Sequence, residues 1–159
     1  MSNHLLDIRS YVITVTEKVV EVIHTTIKKC YPDFYSEQVI DFFLDYHSEQ
    51  HLKERVDRGE FYLLYLHDKL IGTGFLDEEE IGGLYILPDF QNKGYGTFML
   101  NFLLDRARKK GLKKVWLDAT PNSKALYARL GFSHTEEKIM YVDEKYPLVY
   151  YYMEYSLST

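Results

Sequence analysis

The stretch Leu84-Tyr85-Ile86-Leu87-Pro88-Asp89-Phe90-Gln91-Asn92-Lys93-Gly94-Tyr95-Gly96-Thr97 decides how the rest of this chain is read. An apolar run stops at a proline, a short polar loop follows, and two glycines open a helical pattern that continues to Lys110. The first amides of a helix have no partner within it and point outward, and the helix dipole favours negative charge there. Gly94 and Gly96 carry no Cβ, so a diphosphate can come within hydrogen-bond distance of the backbone, and Lys93 adds a charge beside them. The loop is a candidate anion cradle. A P-loop would end in Gly-Lys-Ser or Gly-Lys-Thr, whereas Gly94 is followed by Tyr95. A dinucleotide fingerprint would place a third glycine at position 99, which is Met.

Working outward, the helix after the glycines carries Met99, Phe102, Leu103 and Ala107 on one face, broadened by Leu100 and Leu104, a stripe suited to lying flat on a sheet. Gly111 ends it, and Lys114 to Thr120 reads as a strand. With the strand Ile81 to Leu87 upstream, this makes a β-α-β unit of two parallel neighbours joined by a right-handed crossover. Phe61 to Leu66 and Leu70 to Leu76 read as a hairpin about His67-Asp68-Lys69, followed by the acidic turn Asp77-Glu78-Glu79-Glu80. Before them come a short strand over Tyr11 to Val15, a helix over Thr16 to Lys29, a second capped by Ser36, and a third over Ser48 to Arg58 closed by Gly59. After the β-α-β unit follow a short helix over Ser123 to Leu130 and two strands, about Glu137 to Val142 and Leu148 to Leu157. The expected fold is α/β (α+β), one domain over residues 1–159. Its central sheet is mixed and mostly antiparallel with one parallel β-α-β unit, and helices cover both faces.

The bulk composition narrows the classes. Hydrophobic residues are 46% and charged residues 27% of 159, proportions of an ordinary globular chain rather than a disordered or fibrous one. Nineteen Lys and Arg against 24 Asp and Glu give a net charge of −5, which disfavours a nucleic-acid partner. The cluster Arg106, Arg108, Lys109, Lys110, Lys113 and Lys114 reads as a solvated helix end, where the dipole attracts cations. No window approaches 18 consecutive apolar residues, so no membrane span is expected, and Met1 to Arg9 lacks the pattern of a signal peptide. Cys30 has no second cysteine to pair with, which fits a reducing, cytoplasmic setting. His47 and His51 are four apart on a helix, but Ser48 stands where a zinc-protease glutamate would be, so they read as surface histidines and no metal is expected.

The pattern Gln-x-x-Gly-x-Gly at 91–96 resembles motif A of the GCN5-related N-acetyltransferases, in which that loop binds the pyrophosphate of coenzyme A. Glu80-Ile81-Gly82-Gly83-Leu84-Tyr85-Ile86 looks like the family's fourth strand, and Asn122 with Ala125-Leu126-Tyr127-Ala128-Arg129-Leu130-Gly131-Phe132 resembles its closing motif. The three matches lie in order within residues 80–132, while the first sixty residues fit only as topology. The resemblance implies an acetyl-CoA-dependent acyltransferase. Its cofactor-binding residues would be Leu84, Tyr85, Ile86, Gln91, Asn92, Lys93, Gly94, Gly96, Thr97 and Asn122, with amides near Leu84 to Ile86 as oxyanion donors. Lys124 could reach a phosphate or simply face solvent.

Acylation of an amine by a thioester needs a base for the ammonium proton, donors for the oxyanion and an acid for the departing thiolate, and no enzyme nucleophile. Tyr127 matches the tyrosine that the family places near the coenzyme A sulfur, and it is the expected acid. Glu80 matches the acidic residue at the start of the fourth strand and is the expected base, its pKa raised by Asp77, Glu78 and Glu79. The acceptor is an amine, and the acidic charge, with Asp33, Glu37, Asp41 and Asp45 near the first helices, would steer a cationic one such as a cationic small molecule; a small amine, an amino-acid derivative and a protein lysine or N-terminus all remain open. An exposed aromatic face at Tyr150-Tyr151-Tyr152 would suit a homodimer contact. The rival function is a non-catalytic acyl-CoA-binding or sensing module on the same fold, which would need neither Tyr127 nor Glu80. A nucleotide-binding protein is disfavoured by the missing third glycine and Walker lysine.

Overall fold

The computed structural model describes residues 5–157, and the reading of Met1 to His4 lies outside the described residues. The elements are β1 (Leu6–Ser10), a 3-10 turn (Ile13–Val15), α1 (Thr16–Cys30), α2 (Glu37–Tyr46), α3 (Glu49–Arg58), β2 (Glu60–Leu66) and β3 (Lys69–Asp77). They continue with β4 (Glu80–Ile86), a second 3-10 turn (Pro88–Phe90), α4 (Tyr95–Lys109), β5 (Lys114–Ala119), α5 (Lys124–Arg129), β6 (Ser133–Val142) and β7 (Tyr146–Ser156). The seven strands form one sheet in the order β1-β2-β3-β4-β5-β7-β6, with every neighbouring pair antiparallel except β4 and β5.

Two strands differ from the sequence reading: β6 begins at Ser133 rather than about Glu137, and the first strand is displaced. The first strand is Leu6–Ser10, not Tyr11 to Val15, because Leu6 and Ile8 take the alternating positions opposite Leu66 and Leu64. Tyr11 instead lays its ring edge-on against Phe61, and Ile13–Val15 winds into the start of α1. Elsewhere local chemistry sets the boundaries. Ser36 Oγ accepts from Val39 N and Ser48 Oγ from His51 N, each at 3.3 Å, which caps α2 and α3. His67 and Asp68 both adopt positive φ, the backbone of a two-residue hairpin turn between β2 and β3.

The sheet separates two cores. On one face α1 buries Val19, Ile23 and Ile27 with Leu52 of α3 against Phe61, Leu63 and Phe75. On the other, α4 buries Met99, Leu100 and Leu103 against Ile71, Leu117 and Met153. The tyrosine run of β7 alternates between them, with Tyr150 in the first core and Tyr151 against the second. The basic end of α4 is largely paired: Arg106 with Glu60 at 3.0 Å, Lys110 also with Glu60, Arg108 with Asp105 and Lys114 with Glu154. Among the described residues no helix is long and apolar enough to cross a membrane.

Candidate functional site

The parallel pair opens the site. β4 and β5 share one register pair, Glu80 with Trp116, reinforced by Trp116 N donating to Glu79 O at 2.9 Å. Beyond it the strands part, since β5 stays hydrogen-bonded to β7 as far as Ala119 while β4 follows β3. A cleft of about 620 Å³ fills the gap, walled by Glu80 to Ile86 on one side and by Leu117, Asp118 and Thr120 on the other. Within it β4 bulges: Thr73 pairs with Tyr85 and Phe75 with Gly82, so Gly83 and Leu84 stand opposite the single residue Gly74. Gly83 takes φ +57°, and Thr73 Oγ1 donates to its carbonyl at 2.6 Å.

At one end of the cleft the quoted loop delivers the chain into α4. Asn92 and Gly94 both hold positive φ, and Gly94 caps the helix with no side-chain bond to its first amides. No carboxylate stands in the first turn, so the positive end of the helix dipole is uncompensated. Gln91, Asn92, Gly94, Gly96 and Thr97 all line the cleft, as do Leu84, Tyr85, Ile86 and Asn122. Gln91 uses its side-chain amide to hold the loop down, donating to Ile86 O at 2.8 Å and towards Cys30 Sγ at 3.4 Å. Asn122 Oδ1 accepts from Thr120 Oγ1 at 2.6 Å in the turn before α5. Lys93 lies off the cleft wall, its Nζ 3.3 Å from Asp89 O, and Lys124 lies over the Tyr151 ring.

The two expected catalytic side chains reach the same cleft. Tyr127 is 7% exposed, its ring edge-on to Phe132, and burial with nearby Tyr85 pushes its phenol pKa up. Glu80 is half-buried, and its pKa is raised by desolvation, then by Asp118 and Asp77, against Arg58 and Arg55. The main neighbour is therefore Asp118 across the cleft rather than the turn residues Glu78 and Glu79. Asp118 reaches solvent, yet the surrounding walls raise its pKa too.

Sequence reasoning missed a second polar group. His47 is no surface residue: it is 5% exposed, and its ring faces the cleft because the α2–α3 turn folds inward, with His47 N donating to Phe43 O at 3.1 Å. Its Nε2 lies 2.9 Å from Tyr85 Oη and its Nδ1 3.1 Å from Arg55 Nη1. Arg55 is itself buried, at 6% exposure. A charged residue at the position of α3 that should continue the apolar face of Leu52 was the available signal.

These features coincide with one known architecture. The sequence profile of the Acetyltransferase (GNAT) family matches residues 20–132, and the chain belongs to that family. The [Ribosomal protein bS18]-alanine N-acetyltransferase of Haemophilus influenzae is 30% identical over 89 residues, 50% of this chain and 61% of that protein. Its Escherichia coli K12 counterpart is 34% identical over 61 residues, 36% of this chain and 41% of that protein. The chain thus spans less than two thirds of the length of these curated relatives. Among solved structures, a GCN5-related N-acetyltransferase from Rhodopseudomonas palustris superposes with a TM-score of 0.86 at 20% identity, covering 94% of each chain. The PaiA N-acetyltransferase of Thermoplasma acidophilum, solved in complex with coenzyme A, gives 0.76 at 22% identity over 95% of this chain and 98% of that one. These likenesses establish the fold.

Proposed function

We propose that residues 1–159 form a single acetyltransferase domain that moves acetyl from acetyl-CoA to a primary amine, by direct attack in a ternary complex. The observation that carries this is the parting of β4 from β5, with a helix N-terminus whose first amides have no side-chain cap at one end and Glu80 and Tyr127 on the walls. The residues present fit the acyl donor: the amides of α4's first turn suit a diphosphate, and the β4 edge left unpaired past Glu80 suits an amide-bearing arm. The donor supplies an activated carbonyl, and the chemistry required of the chain is proton management and charge stabilisation.

Glu80 takes the ammonium proton, directly or through water, a role supported by its raised pKa, which brings it nearer to neutral pH. The amine then forms a C–N bond as the C–S bond breaks, with the electron pair leaving on sulfur; the second proton shed by the nitrogen passes through water to that sulfur, so coenzyme A departs as the thiol. Tyr127 stays protonated throughout the neutral range, because burial has raised a pKa that is already about 10 in a free phenol. Full transfer of its proton to a thiolate of ordinary basicity is uphill, so its role is a hydrogen bond to the departing sulfur. The acceptor side is formed by α1–α3. The acidic charge favours a cationic small molecule there, and the reducing cytoplasm is the proposed compartment. Initial rates with acetyl-CoA and amine both varied should give intersecting double-reciprocal lines; parallel lines would mean an acyl-enzyme and reject direct attack.

A further inference from the structure

On the α1–α3 side of the cleft, four side chains form a hydrogen-bonded chain whose direction is fixed by chemistry. Arg55 Nη1 lies 3.1 Å from His47 Nδ1, and a guanidinium can only donate. Nδ1 is therefore a bare lone pair, and the neutral imidazole carries its proton on Nε2. That N–H meets Tyr85 Oη at 2.9 Å. Tyr31 Oη donates to the same oxygen at 3.3 Å. Tyr85 Oη thus accepts twice, and its own O–H faces no protein acceptor among the described residues. The chain is well anchored: Arg55 Nη2 donates to Tyr46 O at 2.9 Å, its guanidinium sits 4.8 Å over the Tyr46 ring, and the His47 carbonyl accepts from His24 Nε2 at 3.0 Å. Burial and the Arg55 charge both hold His47 neutral.

The surroundings say what the free proton meets. Tyr85 and Phe75 share a buried cluster, and a Cβ at Gly82 would approach Glu80 Oε2 at 3.8 Å and Phe75 Cδ2 at 4.0 Å. Glu80 and Gly82 share one face of β4, the two-residue bulge at Gly83 and Leu84 returns Tyr85 to that face, and all three line the cleft, so Gly82 leaves the floor between the two side chains open. The diphosphate cradle belongs to α4, whose core lies on the other face of the sheet. A ligand over the glycine floor meets a carboxylate at one end and an oriented hydroxyl donor at the other, with Phe42 and Phe43 in the wall.

We propose that Tyr85 reads the acceptor, donating its hydroxyl to a carbonyl or carboxyl oxygen carried close to the reacting amine. The acceptor class is then an α-aminoacyl compound rather than a plain alkylamine, and His47 and Arg55 are positioning residues that act through Tyr85. This rests on the acetyltransferase reading and refines it. A buried donor left without its partner penalises an analogue lacking the oxygen, which is how such a site discriminates.

The test compares L-phenylalaninamide with 2-phenylethylamine, which lacks only the carboxamide. Tyr85→Phe should lower kcat/KM for the amide at least tenfold more than for the alkylamine, chiefly through acceptor KM. Reading the ratio between enzymes cancels the different basicities of the two amines. His47→Ala should show the same selective loss, while His47→Gln, whose amide can still donate to Tyr85 and accept from Arg55, keeps most of the preference. Nitrogen NMR of wild type should find the Nε2–H tautomer at His47. Equal losses on both acceptors would assign Tyr85 to the thioester or to packing and overturn the proposal. A phenylalanine-initiated peptide outperforming the amide would point to a polypeptide source of the same group, and the reverse to a small molecule; either keeps the proposal. If no amine is acetylated, the transfer reading fails separately. Calorimetric binding of the amide then decides the subsite: binding lost in Tyr85→Phe keeps it, and binding unchanged removes it.

Discussion

Replacing Gly94 and Gly96 by alanine, one at a time, separates two demands that the sequence motif presents as one. Gly94 holds φ +86° and ψ 2°, and an added Cβ there has no heavy atom within 4 Å, so the whole penalty is in the backbone. An L-residue in the left-handed region costs about 1–2 kcal/mol. Gly96 lies inside α4, and its Cβ would rest 3.7 Å from Ile86 Cγ1, an ordinary contact. Alanine in place of a helical glycine contributes roughly 0.5–1 kcal/mol of stability. In a chain of this size each kcal/mol shifts Tm by about 2–4 °C. Gly94→Ala should therefore lower Tm by about 2–8 °C and Gly96→Ala raise it by about 1–4 °C, read by circular dichroism. Relaxing Gly94 also re-aims the first amides of α4. Coenzyme A affinity, read by titration calorimetry, should fall at least tenfold in Gly94→Ala and stay within about threefold in Gly96→Ala. Two variants moving Tm in the same direction, or binding coenzyme A equally, would refute this account of the cradle.

Two further outcomes follow from charges in the structure. Glu80→Gln should reduce kcat/KM at pH 7 by about 10²-fold or more, the scale of a lost general base. In wild type the acidic limb of the pH–rate profile should lie above the usual carboxylate range, because burial, Asp118 and Asp77 raise the Glu80 pKa; activity is present above that pKa and lost below it. A limb that persists in Glu80→Gln would transfer the base role to another group. At Glu60, burial acts upward, but hydrogen bonds from Arg106, Lys110 and Tyr62 outweigh it and hold the pKa at about 2. A depressed carboxylate stabilises the fold above its unfolded pKa of about 4.3 and loses that contribution as pH falls through about 2. After allowance for solvent screening, Glu60→Gln should cost about 1–2 kcal/mol in urea unfolding at pH 7. Its gap from wild type should narrow at pH 3, and a constant gap would mean that packing, not charge, is the cause.

How much of this was legible in the sequence varies by region, for physical reasons. The β-α-β core was readable because its signals are local: Pro88 stops a strand, Gly94 starts a helix, and apolar spacing marks the buried face of α4. The hairpin and the cap at Ser36 were readable on the same grounds, while Ser48 was read only as the start of the third helix. The first strand was displaced by five residues because Tyr11 to Val15 is the more apolar and β-branched run, whereas Leu6–Ser10 carries Asp7 and Arg9, and only pairing with β2 decides between them. Most of the expected cleft residues do line one cleft, whereas Lys93 folds back on its own loop. Beyond the charge of Arg55 on the Leu52 face of α3, nothing in the sequence joins the Arg55–His47–Tyr85 chain, which spans α3, the α2–α3 turn and β4, positions up to 38 residues apart that only packing brings together. Asp118 gained its relevance the same way, from facing Glu80 across the parting strands.

Transfer of acetyl from acetyl-CoA to an amine in this cleft, with Tyr127 assisting the leaving sulfur, is the proposed reaction. The most direct measurement is release of free coenzyme A thiol from acetyl-CoA across a panel of amines, with Tyr127→Phe beside wild type. Release should depend on the acceptor and drop at least tenfold in the variant, about 1.4 kcal/mol of barrier. Acetyl-CoA bound tightly but with no thiol released for any amine would contradict it and favour an acyl-CoA-sensing module.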